Sequence, residues 1–365
     1  MSVWVTGMGT VNVTGHSPQE LWDGTLSGKS FISDKKEHSF FSMTLHAMSQ
    51  AMQAAGWKNL NEDDALFFAT TTGQIPLWEG DVMDYLDGKI SSDRLAETLS
   101  HEPLGASLKK NLDMLDSSRC HTKIISSACS ASTQALVLAA AWLRSGKARR
   151  CLVGGTELSC QLTGAGFQGL RLVSSRPATP FDSGREGINL SEASAFLCLE
   201  KDPSPSSLAC LSGGGLSTDG YHMTAPDPQG GGILRAMTLA LKSAGLKPEE
   251  ISWIHAHGTG SLANDAAEVS AIRSLFEKPP VVSSTKPVHG HALAVSGVLE
   301  SIISILSIRD GIVPQTLGLV SHDWAGKIHF PKKPETMRVR HVLKNSLGFG
   351  GANACVIFSA NEFHS

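Results

Sequence analysis

Residues 123–143 read KIISSACSASTQALVLAAAWL, and the stretch changes character twice within a few residues. KII has the pattern of a buried strand, SSACS that of a tight turn, and ASTQALVLAAAWL that of an amphipathic-to-buried helix. Cys129 therefore falls at a strand-to-helix junction, where an elbow presents a nucleophile. Unpaired N–H groups and the positive end of the helix dipole favour a thiolate there and can hold an oxyanion. Small neighbours leave room for a substrate to approach the sulfur. Buried cysteines also occur at small-residue helix starts for packing alone, so the reading of Cys129 depends on its partners.

The same alternation recurs on either side. VWVTGMG, ALFFATTTG, KIISSA, ARRCLVGGTEL and ASAFLCLE read as short strands separated by Ala- and Leu-rich helical segments. After EKDPSPSSLA, which reads as a linker, CLSGGGLSTDG, WIHAHGTG, VVSSTK and ACVIFSA form a second series. This is the rhythm of an α/β protein with a central sheet, in two consecutive halves, residues 1–202 and 203–365. The segment from Trp78 to Asp116 is polar and helical in tendency, an excursion at the surface or a subunit interface.

Composition narrows the class. The 365 residues are 41% hydrophobic and 18% charged, which suits a soluble globular protein with a large core. A net charge of −3 leaves no overall basic surface, so no nucleic-acid partner is expected. The seven cysteines lack framework spacing, and Cys151, Cys198, Cys210 and Cys355 lie in apolar runs; reduced thiols and a cytoplasmic location are expected. MSVWVTGMGTV has no basic flank or signal-like core, and the apolar helical run ALAVSGVLESIISILSI is interrupted by Glu300. Neither secretion nor a membrane span is expected.

A nucleophilic cysteine needs groups that handle protons and charge. WIHAHGTGSLANDAAEV places His257 just after an apolar strand, with Asn264 and Asp265 opening a helix. VVSSTKPVHGHALAVSG places Lys286 five residues before His291 at another strand-loop-helix junction. His255 and His289 read as structural or exposed. The repeated His-x-His raises a metal site as a rival, but no acidic or Cys ligand stands at familiar spacing, so no metal is expected. NSLGFGGANACVIF, residues 345–358, surrounds Phe349 with glycines whose backbone can approach a substrate closely, or it is simply a Gly-rich hairpin.

Taken together, VTGMGTV, SSACSAS, GGTE, RPATPFDSGREGINLSEASAFLCLE, STDGYHMTAPDPQGGGILRAM, AHGTGSLAND, STKPVHGH and SLGFGGANACVIF resemble, in order, the β-ketoacyl-acyl carrier protein synthases. These are the elongating, Cys-His-His members of the thiolase-like condensing-enzyme superfamily. The resemblance implies a five-layer αβαβα sandwich of two similar halves, usually dimeric. It makes Cys129 the nucleophile that takes an acyl group from a phosphopantetheine thioester. His257 and His291 would bind the malonyl thioester carbonyl and promote loss of carbon dioxide, with Lys286 polarising the region. Glu300 falls at the Lys-paired acidic position and Glu268 at the other acidic position. The backbone N–H groups of Cys129 and Phe349 resemble an oxyanion hole, and the Phe349 ring a gate over the acyl pocket. Thr259 and Ser261 match the hydroxyl pair on the pantetheine arm, with Ser261 where Thr is usual.

The implied activity is decarboxylative Claisen condensation in fatty acid, polyketide or polyene elongation. Its implied partners are an acyl carrier protein and a second subunit in a homodimer or heterodimer, with no cofactor beyond carrier-borne phosphopantetheine. The chain is shorter than typical members, chiefly in its first half. An alternative is a chain-length-factor-like subunit of a ketosynthase heterodimer with little activity of its own; such subunits usually lose the nucleophile that this chain keeps. A degradative thiolase would carry a second acidic Cys or a His and Asn pair, and the block with His291 argues against it. Lys109, Lys110, Arg149 and Arg150 are basic positions to which no carrier contact is assigned.

Overall fold

The computed structural model describes residues 3–32, 39–100, 104–324 and 326–361; the ends of the two expected halves, 1–2 and 362–365, lie outside the described residues. In the first part, β1 (Val3–Asn12) is followed by α1 (Pro18–Leu26), α2 (Phe40–Ala54) and β2 (Ala65–Ala69). Then come α3 (Ile75–Leu86), α4 (Ser92–Leu99), α5 (Leu104–Met114), β3 (His121–Ile125), α6 (Ala131–Ser145), β4 (Arg150–Glu157), α7 (Gln161–Gly169) and β5 (Ala193–Glu200). The second part runs β6 (Ala209–Thr218), α8 (Gly231–Ala244), β7 (Trp253–His255), α9 (Leu262–Leu275), β8 (Val281–Ser283), α10 (Lys286–His289) and α11 (Ser296–Asp310). A small pair, β9 (Ile312–Val313) and β10 (Glu335–Thr336), precedes β11 (His341–Gly348) and β12 (Ala352–Ser359).

The main sheet runs β3-β2-β4-β5-β1-β6-β12-β11-β7-β8. Its two five-strand wings meet where Val3, Trp4 and Val5 of β1 pair antiparallel with Leu211, Cys210 and Ala209 of β6. Strands with two apolar faces need cover on both sides, and the chain supplies it. Between the wings lie α6, which packs on β2, β4, β6 and β12, and α11, which packs on β5 and β11. They bury Leu136, Leu143, Val298, Leu299, Ile302 and Ile303 with Phe67, Val153, Leu197, Val342 and Phe358. Outside the first wing, α2 covers Leu66, Phe68, Leu152 and Phe196 with Met43, Ala47, Met48 and Ala51. Outside the second, α8 and α9 cover Ile254, Leu343, Cys355 and Ile357 with Ile233, Met237 and Ile272. The layering is αβαβα, as the resemblance implies.

Across the segment from Trp78 to Asp116, helical as its pattern suggested, α3 and α4 bury none of their residues and leave Leu77, Met83, Leu86 and Leu99 exposed. One feature departs from a simple reading of the runs. The strand β11, HVLKNSLG, has no counterpart among the stretches that read as strands, because Lys344, Asn345 and Ser346 break its apolar pattern. All three are buried.

Candidate active site

Cys129 stands immediately before α6, whose N-cap is Ser130. The preceding Ala128 has φ of 45°, a left-handed conformation that costs a non-glycine residue free energy and is held here by the surrounding turn. The amide of Ala131 donates to the carbonyl of Ala128 at 3.1 Å, and Ser130 Oγ to that of Ser127 at 3.0 Å. The elbow is thus present, but the expectation of a thiolate-prone cysteine needs correction. Cys129 is only 5% exposed, and burial pushes its thiol up to about 12. Lys286 and the backbone N–H groups of Cys129 and Phe349 oppose that rise, and Glu157 adds to it. The resting sulfur is a neutral thiol with hydrogen-bond donors close by.

His257 follows β7 and His291 follows α10; their rings meet edge to face with centroids 5.3 Å apart. Both are almost fully buried, and burial, reinforced by Lys286, holds both well below the ordinary histidine range. Lys286 Nζ donates to the His257 carbonyl at 2.7 Å and lies 3.4 Å from its Nδ1. An ammonium has only donors, so Nδ1 accepts and the ring proton sits on Nε2. His291 Nδ1 meets Ser296 Oγ at 2.9 Å, and its amide donates to the Asn189 carbonyl at 2.7 Å.

Behind the histidines, Glu300 of α11 accepts a hydrogen bond from Lys286 through Oε1 and forms an ion pair with Lys344 through Oε2, the latter at 2.7 Å. Although burial raises its carboxyl, the two lysines prevail and hold it well below the usual carboxylate range. Glu268 of α9 turns to the backbone: it accepts from the amides of His257 at 2.8 Å and Gly258 at 2.9 Å, and from Asn345 Nδ2 at 3.1 Å. It fixes the His257 loop from beneath.

Cys129, His257, His291, Phe349, Thr259 and Ser261 line one pocket, while Lys286, Glu300 and Glu268 support it from behind. Thr259 Oγ1 donates to Ser261 Oγ at 3.2 Å, and Ser261 also caps α9. Phe349 opens a Phe-Gly-Gly turn in which Gly350 has φ of 78°. Its ring stacks on Phe167 of α7, centroids 5.2 Å apart.

Several members of the site are absent from the sequence reading: Phe167, Ser296, Asn345 and Lys344. His255 and His289 are buried and structural: Thr285 Oγ1 joins His255 Nε2 and His289 Nε2, each at 2.9 Å, and Ser304 holds His255 Nδ1. Arg149 and Arg150 are committed to the buried Asp64, at 3.1 and 2.7 Å. Among the described residues, no three His, Cys, Asp or Glu side chains gather as a metal site would require, and no helix is long and apolar enough to cross a membrane.

The chain is similar to known proteins over most of its length. Residues 39–204 match the family "Beta-ketoacyl synthase, N-terminal domain" and residues 208–320 the family "Beta-ketoacyl synthase, C-terminal domain". A 3-oxoacyl-[acyl-carrier-protein] synthase 2 of Synechocystis sp. is 30% identical over 409 residues, spanning 98% of this chain and 97% of that protein. One from Coxiella burnetii is 29% identical over 412 residues, spanning 98% of each. Among solved structures, the ishigamide ketosynthase/chain length factor superposes with a TM-score of 0.89 at 24% identity over 99% of both chains. A type II PKS ketosynthase structure, in complex with its acyl-carrier protein, gives 0.85 at 25% identity, again over 99% of both.

Proposed function

Because the chain belongs to the β-ketoacyl synthase family, we propose that it performs the decarboxylative Claisen condensation of an acyl-enzyme thioester with malonyl-acyl carrier protein, in fatty acid or polyketide elongation. The observation that carries this reading is the convergence of a buried elbow cysteine and two neutral, edge-to-face histidines on one pocket.

Cys129 Sγ attacks the carbonyl carbon of a phosphopantetheine thioester. The oxyanion that forms is held by the N–H groups of Cys129 and Phe349. Collapse breaks the bond to the carrier's sulfur, and the thiol proton of Cys129 leaves with it, so the acyl group rests on the enzyme. The malonyl thioester then enters along Thr259 and Ser261, its carbonyl oxygen between His257 and His291. Breaking the bond to the carboxylate releases carbon dioxide and leaves an enolate, whose oxygen the two neutral imidazoles stabilise as donors. Lys286 keeps the field positive. The enolate carbon attacks the acyl-cysteine carbonyl, a carbon–carbon bond forms as the bond to Sγ breaks, and Cys129 leaves as a thiolate that takes up a proton from solvent while the β-ketoacyl product stays on the carrier. Holding both thioesters in one pocket supplies the proximity such a reaction needs, and no step calls on a cofactor other than carrier-borne phosphopantetheine.

The same reading gives the chain an acyl carrier protein as partner, a second ketosynthase-like subunit as homodimer or heterodimer mate, and a division near residue 203. All seven cysteines are free, which supports a cytoplasmic location. The test is intact mass after incubation with acyl-acyl carrier protein, beside Cys129→Ala. An acyl adduct absent from the variant, then discharged by malonyl-carrier protein, supports a self-sufficient enzyme. An adduct that forms only beside a second ketosynthase-like subunit assigns the chain the partner role.

A further inference from the structure

Lys344 is a buried cation that none of these steps uses. It lies in β11 with no exposed surface, its Nζ on Glu300 Oε2 at 2.7 Å, on Ser346 Oγ at 3.2 Å and on the Asn345 carbonyl. Since the other oxygen of Glu300 holds Lys286, one carboxylate serves two ammonium groups. Lys286 and Glu300 are therefore not a closed neutral pair. The charged and titratable groups facing Lys344 are Glu300 from α11, Lys286 and His289 from α10, His291 from the loop beyond it, and Glu268 from α9. His255 and His257 from β7 and its following loop, and Cys355 from β12, complete the set.

We propose that Lys344 is a positioning residue for this site, acting through Glu300. It takes up half of that carboxylate, leaves Lys286 under-compensated against the His257 carbonyl, and keeps His257 and His291 neutral. The role rests on the condensing reading for its benefit, because only neutral imidazoles can both sit beside Lys286 and donate to an enolate. The surrounding electrostatics agree: Lys344 disfavours the charged form of each of the four nearby imidazoles, adding to burial and Lys286. Geometry ties it further to the reaction. Ser346, which accepts from Lys344, meets Thr133 Oγ1 of the Cys129 helix at 2.8 Å, and Asn345 reaches Glu268 on the opposite face of the strand.

Two variants separate charge from packing. Lys344→Met keeps the length without charge, and Lys344→Gln keeps a donor for Glu300. The midpoints of His257 and His291 are read by NMR of ¹³C-histidine-labelled full-length protein across pH, beside the acid limb of the condensation rate. Removing a positive charge makes imidazolium easier to form, so both midpoints and the acid limb should move upward, by on the order of one pH unit. Unmoved midpoints and limb, with only a lower melting temperature, overturn the proposal. A measurement on the wild type needs no variant: ¹³C-lysine signals showing Lys344 uncharged at neutral pH overturn it as well. If the midpoints move while the wild type fails to condense acyl and malonyl thioesters, the charge role stands and the condensing reading falls.

Discussion

Gly297 of α11 lies directly against Thr133 of α6: a Cβ at position 297 would stand 2.1 Å from Thr133 Oγ1 and 2.8 Å from Ser132 Oγ. The two central helices therefore touch close to their N-termini, and Ser132 Oγ accepts the amide of Val298 at 3.1 Å across the contact. This crossing joins the start of the helix that follows Cys129 to the first turn of the helix that carries Glu300. Gly297→Ala should force the helices apart, costing about 1–3 kcal/mol as overpacking does and slowing acyl transfer to Cys129. Urea melts and the acylation rate check it; unchanged stability would mean that the helices have room to separate.

Glu300→Gln should be among the most damaging single changes in the protein. It leaves Lys286 and Lys344 as two buried ammonium groups without a counter-charge, a loss of about 3–5 kcal/mol by the usual cost of breaking a buried pair. Denaturant unfolding measures it. Full stability in the variant would show that the lysines shed their protons with little penalty.

The thiol of Cys129 should be slow to alkylate at neutral pH. Burial pushes it up to about 12, so the iodoacetamide rate, followed by peptide mass spectrometry, should climb steadily through pH 9 without a plateau. A plateau below pH 8 would reveal a thiolate stabilised well beyond what the neighbouring N–H groups and Lys286 provide.

Stability should fall on mild acidification. His255, His257, His289 and His291 are all held below the ordinary range by burial, His289 down to about 4. In the unfolded chain each takes a proton near ~6.5, so the unfolded state binds more protons below that pH and stability declines as pH falls through it. Melting temperature should be level above about pH 7 and drop steadily below about 6.5, with a shallower drop in His255→Gln. A melting temperature level down to pH 5 would mean that these rings carry charge in the fold.

The architecture was legible because inner strands such as β4, β5 and β12 are buried on both faces, so the runs CLVGG, AFLCL and ACVIF stand out as continuous apolar stretches. The elbow at Cys129 announced itself by the abrupt passage from β-branched to small to Ala-rich residues, and His257, Lys286 and His291 by their places at strand ends. What escaped was polarity that serves another polar group across the fold. Lys344 and Ser346 look inward to Glu300 and Thr133, and Asn345 looks the other way to Glu268. A single sequence gives no sign that partners so far along the chain will neutralise them. Nor did local pattern reveal that Cys129 would be almost fully buried, in a pocket it shares with His257, His291 and Phe349, which lie more than a hundred residues away in sequence.

The seam between β1 and β6 governs how the protein is made. β1 pairs with β5 through Trp4–Glu200 to Asn12–Ala193 and with β6 through Val3–Leu211, so this strand waits for nearly two hundred residues of later synthesis before either neighbour exists. Until then its apolar face and backbone hydrogen-bonding groups stay uncovered. A nascent chain in that condition folds slowly and is exposed to misassembly. Demand for chaperones in the cell should accordingly concentrate on the interval before β6 leaves the ribosome.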